Sequence, residues 1–220
     1  MSQPLDRVLD SWRLSGPTHQ FNEPADDRTI AEAERAVGRP LPDALKALYR
    51  FSNGMEPLGG NLVVVPLLDA ERIDTEVVGL VNLADRMRSW HWPIPDEVLV
   101  FGGNGAGDQF GLWYPHGSPS NGPIPVVMIG SIFEPACLAL AGTDLPRFLI
   151  AWSGYYLVLL DAPTEALDAL GLPESLRRTD ADGGFAPYFR WADPFLPDPE
   201  PDPYERGMDA PGIAALIERL

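Results

Sequence analysis

The chain of 220 residues contains a single cysteine and a single lysine. One cysteine, Cys137, cannot close an intrachain disulfide, and a zinc site built on thiolates needs several. Cys137 stands among Ala136, Leu138 and Ala139, with no histidine beside it, and reads as a small core residue. Bases are scarce altogether: 16 Lys and Arg against 32 Asp and Glu leave a formal net charge of −16. Nucleic acid and anionic membrane both need clustered Lys/Arg, so neither is an expected partner. A basic protein would instead be drawn in faster. The plainer reading of the acidity is solubility.

Long apolar runs are also missing. The longest, Phe148 to Leu160, falls short of the ~20 residues that a spanning helix needs. The opening MSQPLDRVLDSW carries acids and no apolar stretch, unlike a secretory signal. A soluble, cytoplasmic chain is expected. There is no G-x-S-x-G, P-loop or H-E-x-x-H motif, and His19, His91 and His116 lack metal-ligand spacing. Neither a metal nor a cofactor is expected.

What is present suffices for a globular core: 45% apolar residues and six tryptophans. Leu5, Val8, Leu9, Trp12 and Leu14 predict an amphipathic opening helix that breaks at Gly16-Pro17. From Ile30 to Gly54 the chain predicts two helices joined by a stiff corner. Gly38 supplies a left-handed end and Pro40 prevents continuation, while Pro42 suits the first turn of the second helix. Leu41, Ala44, Leu45, Leu48 and Tyr49 form its apolar stripe, and Asn53-Gly54 closes it. Leu62 to Leu68 reads as a buried strand, 69–79 as a short helix or loop, and Asn82 to Trp90 as a helix. Glu97–Phe101 and Gln109–Tyr114 predict a hairpin around a Gly-rich turn, with Ile124–Ile132 a further strand. Thr143 or Asp144 caps a helix through Leu159. Short strands and helices without βα alternation favour an α+β fold.

The corner and the turn together resemble a known family. Glu34, Gly38, Leu41, Pro42, Leu45, Tyr49, Asn53 and Gly54 match the L-P-x-x-L-x-x-x-Y…N-G signature of the SUKH superfamily. This superfamily takes in Smi/Knr-type cell-wall assembly regulators and many bacterial immunity proteins. The run Phe101–Phe110, FGGNGAGDQF, resembles its later hairpin. The resemblance covers roughly Asp6 to Leu160 and implies an antiparallel sheet covered by helices. Residues 1–160 are accordingly read as a SUKH-like domain and 161–220 as a C-terminal extension. That extension holds the Pro/Asp-rich run 193–211 and a terminal helix, Ile213–Leu220, too short to stand alone. The helix must dock on this domain, a second copy or a partner.

No catalytic constellation emerges. The turn 102–108 follows a strand but leads into another strand, so it offers no helix N-terminus to a phosphate. Asp96, Glu97 and Asp108 would come together across the hairpin, and a glycosidase needs two carboxyls about 5–10 Å apart; nothing in the sequence sets that distance. The expectation is a non-enzymatic binding protein. Members of the resembled superfamily bind proteins, and its immunity proteins neutralise secreted toxins, commonly nucleases or deaminases, by stoichiometric binding. Between Ser89 and Pro146 there are five acids and no Lys or Arg, alongside Trp90, Trp92, Trp113 and Tyr114. Asp96, Glu97, Asp108 and Trp113 are therefore the predicted partner contacts. The other readings are a regulatory scaffold working through its acidic tail and a carbohydrate or small-molecule binder using the Trp-rich hairpin.

Overall fold

The computed structural model describes residues 4–16, 19–72, 75–92, 94–114, 123–130, 138–178, 184–197 and 208–220. Cys137, His116, Glu134 and residues 198–207 of the Pro/Asp-rich run lie outside them. The opening helix α1 (Pro4–Leu14) buries Leu5, Val8, Leu9 and Trp12, while Leu14 stays exposed.

The helical pair forms as its residues dictate, with two adjustments. Helix α2 (Asp27–Val37) starts at Asp26, whose carboxylate accepts from the Thr29 N–H at 2.7 Å, and ends at Gly38 with φ +73°. Helix α3 (Asp43–Phe51) begins one residue later than expected. Pro42 is its N-cap, at φ −60°, ψ 148°, because the chain arrives there extended. Its end is set by Ser52 in extended backbone at φ −158°, not by Asn53-Gly54. Gly54, at φ +91°, instead turns the chain into the sheet.

That sheet is antiparallel with seven strands, in the order β1-β2-β3-β6-β7-β8-β9. Strands β1 (Gln20–Phe21), β2 (Met55–Glu56) and β3 (Val63–Val64) are only two residues each. The predicted strand 62–68 thus contracts to Val63–Val64, and Pro66 stands just beyond it. Residues 69–79 are neither helix nor plain loop: β4 (Ala70–Arg72) and β5 (Thr75–Val77) pair as a separate two-stranded sheet. Helix α4 (Leu80–Ser89) follows. Strands β6 (Val98–Gly103) and β7 (Gln109–Trp113) form the predicted hairpin, bulged between Val100 and Gly102. Strand β8 (Val126–Ile129) then pairs with β9 (Leu138–Gly142), which the sequence reading did not anticipate. Every residue of β6, β8 and β9 is buried, so both faces of the sheet's centre are covered.

Helix α5 (Leu145–Leu159) is the hub of the core. Asp144 caps it by accepting from the Arg147 N–H at 2.8 Å, and Pro146 sits in its first turn. It is apolar nearly all round because it is buried nearly all round. On the sheet side, Phe148 and Trp152 meet Phe110 with ring centroids 4.9 Å away in each case. On another side, Trp152 stacks on Phe185 at 4.8 Å, just ahead of α7 (Ala186–Ala192). Two indole N–H groups are paired inside: Trp152 donates to the Asn61 carbonyl at 2.9 Å and Trp12 to Ser153 Oγ at 3.0 Å.

Residues beyond 160 join the same core. Helix α6 (Thr164–Leu170) packs on α1, and Arg7 Nε donates to the Leu170 carbonyl at 3.0 Å. Helix α8 (Ala210–Ile217) docks on its own chain. Met208 exchanges backbone hydrogen bonds of 2.8 and 2.9 Å with Leu138 on β9, and Ile213 and Ile217 are buried. Among the described residues no helix is long and apolar enough to cross a membrane.

Candidate partner-binding site

The family-like residues hold the corner between α2 and α3 rigid. Glu34 reaches across it, accepting from the Leu41 N–H at 2.9 Å. Tyr49 donates to the Val65 carbonyl at 3.0 Å, and Asn53 Oδ1 accepts from the Leu67 N–H at 2.9 Å. Burial pushes the Tyr49 phenol up from its ordinary range. The glycine-rich turn is braced in the same way. Asn104 Oδ1 accepts from the Ala106 and Asp108 N–H groups at 3.0 and 3.1 Å, and its amide donates to Asp108 Oδ2 at 2.7 Å.

Asp108 is therefore a buried bracket of the turn. Trp113 is buried too, in the sheet, where its backbone N–H donates to the Pro125 carbonyl at 2.9 Å. Neither side chain is presented to a partner, since both are consumed in the fold. Asp108 lies at the turn end of the hairpin, next to the Gly103↔Gln109 pair, whereas Asp96 and Glu97 precede the Val98↔Trp113 pair at its open end, so the expected carboxylate cluster does not form. Asp96 is exposed and Glu97 half-buried, both beside the corner.

Around Asp96 three elements converge. Arg88 of α4 approaches the Asp96 carboxylate at 3.2 Å and Asp85 at 2.7 Å, and it donates to the Ile94 and Pro95 carbonyls. Arg39 from the corner donates to the Asp96 carbonyl at 3.3 Å and lies 4.8 Å over the Tyr114 ring. The Tyr114 phenol is pushed up chiefly by burial, which outweighs the lowering by the Arg39 guanidinium; Glu34 adds a lesser upward push. On α3, Lys46 bridges Glu34 at 3.6 Å and Asp43 at 3.2 Å.

Among the described residues, three ion pairs of this face are lopsided in exposure, while Lys46–Glu34 is nearly even at 22% and 27%. The Asp43 side chain is 100% exposed and its partner Lys46 only 22%. Asp96 is 98% exposed and Arg88 33%. Cations lie folded along the protein surface with their stems packed, and the carboxylates project into water. The face is thus more negative toward an approaching molecule than its count of pairs suggests.

Sequence reasoning placed Asp96 and Glu97 here but missed Arg39 and Arg88. The stretch 89–146 has no base of its own, yet α4 and the α2–α3 corner bring two to it. No local signal could have shown this, since the three elements meet only in the fold. Among the described residues no group of three or more His, Cys, Asp or Glu could hold a metal ion.

Comparison with family models finds the SMI1/KNR4 family (SUKH-1) across residues 24–149. The chain belongs to that family. Its SUKH domain begins just ahead of α2 and ends within α5, so α1 and α6–α8 lie outside the matched span, which is narrower than the Asp6–Leu160 resemblance. A comparison with curated proteins finds no match. Within the SUKH domain, the signature residues Glu34, Tyr49, Asn53 and Asp108, together with Asn104 of the glycine-rich turn, are all engaged in the hydrogen bonds above. They carry the architecture, and Asp43, Asp85, Asp96 and Glu97 form an acidic face beside them.

Proposed function

We propose that this SUKH protein is a non-catalytic, bacterial-type immunity protein that neutralises a cognate secreted toxin by stoichiometric binding. The observation that carries the reading is electrostatic: a formal charge of −16, with the carboxylates of Asp43, Asp85 and Asp96 turned outward from their ion pairs beside the corner. A nuclease or a nucleic-acid deaminase has a basic cleft for phosphates, and an acidic face offers carboxylates in their place. Such steering raises the association rate and weakens with salt. The rim carboxylates set encounter, and buried apolar contacts hold the complex once formed.

The alternative inside the same family is a regulatory scaffold that recruits cellular proteins through its acidic tail. Affinity capture from native lysate at low and high salt, read by mass spectrometry, separates the two. The immunity reading expects one basic polypeptide in equimolar amount, retained at high salt. Several ordinary proteins that wash off with salt would support the scaffold.

A further inference from the structure

Helix α8 is apolar from end to end: Ala210–Ile217 reads APGIAALI, with no charged side chain between Asp209 and Glu218. Such a helix should be covered all round. Only one side of it is. Ile213 and Ile217 are buried in the core, whereas Ala215, Leu220 and the preceding Met208 are exposed and Leu216 is half-buried. Phe195 shares a cleft of about 530 Å³ with Leu216 and Leu220 and is itself 67% exposed. An exposed apolar patch of this kind marks an interaction site.

The outward row is complementary to itself. Met208, Gly212, Leu216 and Leu220 recur every fourth residue and so form one ridge along the helix. Laid antiparallel on a second copy about Ala214, the ridge sets Met208 against Leu220 and Gly212 against Leu216. Gly212 has no side chain, so the leucine opposite finds room and large meets small. The charges at the two ends obey the same symmetry, since Asp209 then faces Arg219. Asp209 Oδ1 caps the helix by accepting from the Gly212 N–H at 2.9 Å, and Arg219 Nε donates to the Ala215 carbonyl at 3.1 Å. Each keeps a further polar atom for a partner, and no acid is set against an acid. The cleft behind the ridge selects no charged occupant, because Arg147 and Arg219 are balanced there by Asp144 and Asp193.

We propose that the chain forms a two-fold dimer through α8, with the Met208–Leu220 ridges of two copies packed antiparallel and Asp209 of each copy against Arg219 of the other. An isologous contact needs one patch that fits itself, and this ridge does. The antiparallel arrangement also brings opposite helix-dipole ends together. The net charge of each copy opposes association only weakly, because at physiological salt charges more than about 8 Å apart are screened. A basic protein has little to recognise here, since α8 carries acids only at its ends. The ridge lies at the β9 edge of the sheet and outside the matched SUKH span, and the proposal does not rest on toxin binding.

The test is sedimentation velocity of the full chain over a range of concentrations, which should show a reversible monomer–dimer equilibrium. Leu216→Glu puts a carboxylate against the Gly212 backbone and should give a monomer where the parent is dimeric. Ala215→Glu, at an exposed position beside the two-fold, repeats the test if Leu216→Glu lowers the thermal melt. Arg219→Asp sets two acids together at each end and should weaken the dimer about tenfold, a defect that shrinks at high salt. Leu14→Glu, on an exposed residue of α1, should leave the dimer unchanged. The proposal is overturned if the parent stays monomeric throughout, if folded Leu216→Glu and Ala215→Glu chains remain dimeric, or if Leu14→Glu dissociates the dimer instead.

Discussion

Asn53 shows how a residue that looks like a helix stop can serve another purpose. Its side-chain oxygen accepts from the Leu67 N–H at 2.9 Å, tying α3's exit to the chain beyond β3. Asn53→Ala strands that N–H and should cost about 2 kcal/mol, seen as a lowered denaturation midpoint with an unchanged slope. His19 makes a second prediction. Its Nδ1 accepts from the Leu58 N–H at 2.9 Å, which requires the neutral ring, and burial lowers its pKa from the ordinary 6.5. A lowered histidine pKa means the unfolded chain binds the proton first. The contribution is therefore present above pH 6.5 and lost as pH falls below it. Chemical denaturation from pH 7.5 to 5 should show this decline, and His19→Asn should flatten it. These two roles were not legible in the sequence, because each depends on a backbone group far along the chain. Asp108 and Trp113 escaped for the same reason: an acid and an indole near a turn look like surface until the sheet closes over them.

Among the elements, legibility followed local punctuation. Helix α5 was readable at both ends because Asp144, Pro146 and the apolar stripe are all local signals. The hairpin β6–β7 was readable because alternation and glycines agree. Strand β9 was not: Leu-Ala-Leu-Ala-Gly favours helix by propensity, and its pairing with β8 overrides that preference. The two-residue strands β1–β3 carry too little pattern to be seen at all. Gly102 makes the strand argument testable. A Cβ placed there would lie 1.9 Å from the Val63 carbonyl oxygen, so Gly102→Ala must break the β3–β6 pairing. The loss should be about 3 kcal/mol or more, read as a large drop in melting temperature. Full stability in that variant would mean the two strands do not approach as described.

For the whole molecule, the ends matter as much as the matched SUKH span. Helices α1 and α6 pack on each other outside it, and α8 covers β9, the last strand of the sheet. An uncovered edge with buried apolar residues on both faces is an aggregation template. Truncation before Met208 should accordingly lower the melting temperature and shift the chain toward higher oligomers in size-exclusion chromatography. Function at this scale rests on charge. Fold class and net acidity were legible from composition and the family motif, whereas the outward orientation of the carboxylates required the fold. Reversal of Glu97 to Lys at the rim should slow partner association several-fold at low salt, with little effect at high salt. The most direct measurement of the central claim is a calorimetric and stopped-flow titration of the captured basic partner into the full chain at low and high salt. The account predicts a one-to-one complex whose association rate falls steeply with salt while its dissociation rate barely changes. A substoichiometric complex, or an association rate indifferent to salt, would contradict it.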